Sequence, residues 1–187
     1  MHDMVVERLQ NGDVDAFGDL YELYFSKIYR FIYYKTLDQA VAEDITEETF
    51  LKALKNRKSF HGSTASEFSS WLYAIAYNAC VDHFRSQEDT ADVDESSEEL
   101  GFSEDTAGDL DNRSKIEEIL AFLDTFPTEQ KDIIIMRVWD ELSYEEIAAI
   151  TGKSQENCRK IVSRGLTAIQ SNITYLIAFC LIQQYFQ

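Results

Sequence analysis

Along the first part of the chain apolar residues recur every three or four positions, and that spacing predicts helix in place of strand. Phe17, Leu20, Tyr21, Tyr24, Ile28, Phe31 and Ile32 form one such stripe, in a helix that begins near Asp13 or Asp15. A second helix is predicted from about Leu37 to Lys55, with Val41, Ile45, Phe50 and Leu54 inward and Glu43, Asp44, Glu47 and Glu48 on its surface. A third runs from Phe68 to about Arg85 and packs Phe68, Trp71, Leu72, Ile75, Ala79 and Val81. Between the last two, KNRKSFHGSTASE is a polar loop with a lone glycine. A loop presented by a rigid helical scaffold is a candidate for function.

The segment Leu142 to Leu166, LSYEEIAAITGKSQENCRKIVSRGL, carries the strongest local signal. Ser143 and Glu146 have the spacing of a capping box, Ile147 and Ile150 give a short helix its apolar face, and Gly152 can take the left-handed conformation that ends it. Ser154 is placed to cap a second helix. On that helix Cys158, Ile161, Val162 and Ile169 face a core, leaving Gln155, Glu156, Asn157, Arg159, Lys160, Ser163 and Arg164 toward solvent or DNA. The unit reads as a helix-turn-helix, a motif that lays its second helix in the major groove. Helical hairpins of this shape also occur in domains that never touch DNA.

Charge first argues against a nucleic-acid partner, since the chain of 187 residues has a formal net charge of -17. Its distribution changes that picture. Eleven carboxylates and no Lys or Arg lie between Glu88 and Asp111, within a stretch rich in Ser, Thr, Ala and Gly that lacks apolar periodicity. Such a segment is a solvated, self-repelling linker. The expected organisation is therefore all-α: a helical domain over 1–87, a flexible acidic linker over 88–112, a helix-turn-helix domain over 113–172, and an apolar helical extension over 173–187.

Candidate chemistry is sparse. Cys80, Cys158 and Cys180 are odd in number, widely scattered and without CxxC pairing, which favours reduced thiols in a cytoplasmic protein over disulfides or zinc. The three histidines have no ligand spacing, so neither a metal nor another cofactor is expected. MHDMVVERLQ is charged and does not read as a secretory signal. With no Gly-rich phosphate loop, nucleophile elbow or paired catalytic carboxylates, enzymatic activity is not expected.

Four sequence blocks together carry a resemblance. AEDITEETFLKAL from Ala42, SFHG from Ser59, FSSWLYAIAYNACVDHFR from Phe68 and FPTEQKDIIIMRVWDELSYEEIAAITGKS from Phe126 resemble the bacterial RNA polymerase sigma factors of the extracytoplasmic-function type, group four of the sigma-70 family. The match follows that family's order and spacing over almost the whole chain. It implies that the first domain is sigma region two and the last is region four, that the partners are core RNA polymerase and promoter DNA, and that the protein directs initiation by recognising and melting promoters. It also implies that Asp44, Glu47 and Glu48 dock on the clamp helices of the polymerase largest subunit. Asn78 matches the family's base-contacting amide, Phe60, His61, Gly62, Ser63 and Thr64 its base-capture loop, and Asp82 and Arg85 the end of its melting helix. The exposed residues of the second helix of the helix-turn-helix correspond to the reader of the upstream promoter element.

The chain departs from that pattern in several places. Ala74 and Tyr77 stand where the family commonly has arginines, and the loop between Gly62 and Phe68 is about two residues longer than usual. The recognition helix keeps only Arg159, Lys160 and Arg164 as cations, so the protein alone is expected to bind DNA weakly and to depend on the polymerase. The acidic linker has two readings, an entropic tether or a strand threading the polymerase's basic channel. The extension ITYLIAFCLIQQYFQ from Ile173 is too short to span a bilayer; it is either a helix buried against region four or a patch for an anti-sigma factor or a second copy. A sigma-like protein that titrates an anti-sigma factor or the polymerase without opening promoters is the alternative function.

Overall fold

The computed structural model describes residues 2–90 and 122–170. Among them are seven α-helices and no strand: α1 His2–Gln10, α2 Ala16–Thr36, α3 Gln39–Asn56, α4 Ala65–Thr90, α5 Thr128–Val138, α6 Tyr144–Thr151 and α7 Gln155–Gln170. Two compact units result, one containing α1 to α4 together with Glu145–Gly152, the other α5 and α7. The expected linker beyond Thr90 and the apolar extension from Ile173 lie outside the described residues. No helix among the described residues is long and apolar enough to cross a membrane.

In the first unit α2 packs against α1, α3 and α4, and α3 also packs on α4. The buried face of α2 is the stripe read from the sequence, Phe17, Leu20, Tyr24, Ile28, Phe31 and Ile32, but Tyr21 is 41 % exposed. Its ring lies at the rim of the core, 4.7 Å from that of Phe50 and 5.1 Å from that of Phe25. The helix ends one residue before the expected start of the next. Leu37 takes the left-handed conformation at φ 55° and donates its N–H to the Tyr33 carbonyl, and Asp38 then caps α3 by accepting from the Val41 N–H at 3.0 Å.

The inward face of α3 is rotated from the predicted one. Val41 and Leu54 are only half-buried, whereas Ala42, Ile45, Thr46, Thr49, Phe50 and Ala53 are buried. Two threonines tolerate that position because their hydroxyls donate to the carbonyls one turn back, Thr46 to Ala42 at 2.6 Å and Thr49 to Ile45 at 2.7 Å. On α4 the core is made by Phe68, Leu72, Tyr73, Ala76, Ala79 and Cys80; Ile75 is half-buried and Val81 is 44 % exposed, contrary to the reading above. The helix also begins earlier and continues to Thr90, taking in Glu88 and Asp89.

The second unit is built on α5, in which Ile133, Ile134, Ile135 and Met136 are all fully buried. A helix buried on successive residues needs a close-packed neighbour. α7 supplies it with Cys158, Val162, Gly165 and Ile169, while Ile161 is only half-buried. At Gly165 a β-carbon would stand 2.5 Å from Ile134 Cδ1, so the glycine lets the two helices approach.

Candidate polymerase-docking face and nucleic-acid interface

The three carboxylates expected to meet the polymerase, Asp44, Glu47 and Glu48, are all exposed on α3. Steps of three and four residues place them on one face of the helix. Glu48 is shared with Lys52, whose Nζ lies 2.7 Å away one turn on. An exposed pair of this kind is worth only about 0.3–0.5 kcal/mol, so Glu48 can exchange Lys52 for a cation on another protein at little cost.

The loop of residues 60–64 is more ordered than its polar composition foretells. Phe60, expected to belong to the base-contacting set, is 4 % exposed, with its ring 5.4 Å from that of Phe68 and 5.2 Å from that of Trp71. It is an anchor in the core, and that corrects its assignment as a base contact. Gly62 follows from the anchor, since a β-carbon there would meet the Phe60 ring at 2.6 Å and Glu67 Cβ at 2.8 Å. His61, Ser63 and Thr64 are exposed. Their backbone is held by Glu67, one of whose oxygens accepts from the Ser63 N–H at 2.9 Å, the Thr64 hydroxyl at 2.9 Å and the Thr64 N–H at 3.0 Å. Thr64 Oγ1 in turn accepts from the Glu67 N–H at 3.2 Å, completing a capping box at the start of α4. Thr64 and Glu67 have that spacing in the sequence, so the signal for this cap is local.

These bonds, led by the Ser63 N–H, hold the Glu67 carboxyl below its ordinary value of 4.5. A carboxyl lowered on folding stabilises the fold fully above its ordinary value, and the contribution is lost as pH falls through the folded-state value. Glu67→Gln is therefore expected to lower the thermal midpoint at neutral pH and to converge on the wild type as pH falls through the folded-state value of Glu67. Unfolding curves across pH check this; a difference that persists unchanged into acid would mean that the carboxylate charge does not hold the loop.

From the loop an exposed stripe runs along α4. Asn78, Asp82 and Arg85 are exposed, and they continue at helical steps the line of the half-buried Trp71 and Ile75. Since Trp71 touches the Phe60 ring, the stripe begins at the loop, and Asn78 lies about 10 Å further along the helix axis. Tyr77, at a position where the family commonly has arginine, carries the Lys35 ammonium of α2 4.6 Å from its ring centroid. Lys35 carried no functional reading in the sequence.

Two of the local signals read from the sequence are met. Gly152 has φ +71°, and Ser154 Oγ accepts from the Asn157 N–H at 3.2 Å. Gln155, Glu156, Asn157, Arg159, Lys160, Ser163 and Arg164 are all exposed on α7. Lys160 Nζ sits 2.7 Å from Glu156, which offsets one of the three cations. The guanidiniums of Arg137 and Arg159 lie 5.1 and 5.3 Å from the ring centroid of Tyr144, so Tyr144 orients a recognition-helix arginine by cation–π contact. Among the described residues no cluster of His, Cys, Asp and Glu is arranged to hold a metal ion.

Among the described residues the chain is helical, with an exposed acidic face on α3 and an exposed polar face on α7. Residues 20–90 match the family model Sigma-70 region 2, and residues 116–169 match Sigma-70, region 4. The chain is 33% identical over 168 residues to the ECF RNA polymerase sigma factor BldN of Streptomyces coelicolor, covering 88% of this chain and 63% of that one. It is 30% identical over 184 residues to the ECF RNA polymerase sigma-E factor of Salmonella typhimurium, covering 93% and 95% of the two chains. With the ECF RNA polymerase sigma factor SigW of Bacillus subtilis the identity is 28% over 183 residues, covering 90% and 94%. The fold is also that of CnrH, solved in complex with the cytosolic domain of CnrY, with a TM-score of 0.66 at 16% identity and coverage of 100% and 99%.

The chain belongs to the ECF sigma factors of the sigma-70 family. Its coarse activity follows: it directs RNA polymerase to promoters in transcription initiation, with core polymerase and promoter DNA as partners.

Proposed function

We propose that the first unit melts promoter DNA in the cytoplasm, holding an extruded non-template base between the loop of residues 61–64 and the exposed stripe of α4. The observation that carries this reading is the alignment of Asn78, Asp82 and Arg85 with Trp71, which ties an exposed amide and an exposed cation to the anchored loop. Unstacking a base costs a few kcal/mol, and a shaped, prearranged surface offsets that cost. An amide both donates to and accepts from a base edge, and the Arg85 guanidinium suits a neighbouring phosphate. On this reading Asp44, Glu47 and Glu48 dock the unit on the polymerase, and the exposed face of α7 reads the upstream element.

Run-off transcription with core polymerase and a genomic promoter library selects a promoter for the test. On it, Asn78→Ala is expected to leave polymerase binding unaltered and to reduce permanganate-reactive open complex about tenfold, the worth of one good base contact. Footprints equal to wild type would remove Asn78 from the reading. A wild-type holoenzyme that binds the promoter without opening it would favour the titrating function instead.

A further inference from the structure

α1 lies outside the 20–90 segment matched by the region 2 family model and carries none of the residues assigned above to polymerase or DNA. It nevertheless bonds to both ends of the loop. Gln10 Nε2 donates to the Phe60 carbonyl at 2.7 Å, and Asp3 Oδ1 accepts from the Ala65 N–H at 2.7 Å, contacts that span 50 and 62 positions of the chain. The helix is seated by Val6, which is fully buried, and by Leu9. From α2, Tyr24 Oη donates to the Ala65 carbonyl at 3.0 Å, so both backbone groups of Ala65 are fixed from outside α4. Glu67 secures Ser63 and Thr64 between these points.

A loop that must order itself around a base loses binding free energy to conformational entropy, whereas a loop ordered beforehand does not. We infer that α1 is a clamp on the base-capture loop, with Asp3 and Gln10 as positioning residues for promoter opening; this rests on the loop role proposed above. Asp3 also satisfies an N–H of the first turn of α4, which by itself would stabilise the fold without affecting base choice. The two roles separate on discrimination between bases.

The test uses the full chain assembled with core polymerase. The probe is a fluorescein-labelled fork junction of the promoter selected by run-off transcription, made with its own extruded base or with each of the other three. The Asp3→Ala, Gln10→Ala double variant is expected to bind core polymerase as wild type does, to bind the matched fork about fivefold more weakly, and to lose most of the preference for the matched base. Asp3→Asn, which keeps the acceptor oxygen, is expected to retain that preference. Gln10→Ala alone leaves the α4 cap intact and is expected to show a smaller loss of the same kind, so it decides the matter should the double variant fail to fold.

Equal weakening on matched and mismatched forks would reduce α1 to a structural element and overturn the inference. Asn78→Ala in the same assay separates the two levels. If it lowers the base preference and the α1 variants do not, the clamp fails while the melting role stands; if it too leaves the preference unchanged, the melting role fails and takes the clamp with it.

Discussion

Replacing Asp44 and Glu48 with lysine is expected to abolish retention on core polymerase while the helical circular dichroism signal stays at the wild-type level. Both side chains are exposed on one face of α3, clear of the buried line of Ala42, Ile45, Thr46, Thr49, Phe50 and Ala53. Charge reversal there therefore spares the core. Juxtaposing like charges across a protein interface costs several kcal/mol, so affinity is expected to fall at least about 100-fold. Glu48→Lys also places a like charge beside Lys52, at a cost to the helix of only a few tenths of a kcal/mol. Asp44→Asn with Glu48→Gln removes the attraction without the repulsion and should give an intermediate loss that shrinks as salt is raised. Pull-down of both variants at matched helicity checks this; undiminished binding by the lysine variant would remove this face from the interface.

The second large effect belongs to α7. Arg159→Glu is expected to weaken holoenzyme on promoters that depend on the upstream element by about 1–3 kcal/mol, and to leave core binding unchanged because the acidic face lies on a different unit. Tyr144 holds the Arg159 guanidinium 5.3 Å from its ring centroid, so the lost group is a preoriented one. The slope of log affinity against log salt should fall by about one for each phosphate contact removed. Without polymerase, the wild-type chain at -17 net charge is expected to show no specific promoter retention at about 150 mM salt. Tight specific binding by the isolated chain would mean that the second unit acts without a polymerase. Filter binding with and without core enzyme, at several salt concentrations, measures both.

What could be read from the sequence was local. Gly152 and Ser154 announce the turn between α6 and α7 because a left-handed residue and a side-chain cap act within a few positions. The stripe of α2 was legible for the same reason, with Tyr21 misplaced because an aromatic at the rim of a core has the same spacing as one inside it. The face of α3 was misread because Thr46 and Thr49 look polar in a sequence, yet each spends its hydroxyl on its own helix and turns inward. Phe60 looked like a loop aromatic until Phe68 and Trp71 were brought against it. The holding of the loop by Asp3 and Gln10 had no local signature at all, since it spans 62 and 50 positions. Long-range polar bonds of that kind leave no period and no motif.

The pair between Lys160 and Glu156 bears on how the holoenzyme searches a genome. A cation already held 2.7 Å from a carboxylate gives up an existing partner when it meets a phosphate, and phosphates are the same at every site. If α7 reads the upstream element as proposed, the pair would subtract a little from affinity for all DNA alike and leave a base contact of the neighbouring Arg159 intact. Against roughly 10⁶–10⁹ competing sites, occupancy of the right one depends on the ratio of specific to non-specific binding. An exposed pair of this kind is worth only about 0.3–0.5 kcal/mol, so on the proposed reading of α7 its effect would be a small shift of that ratio toward the specific site, at a small cost in grip.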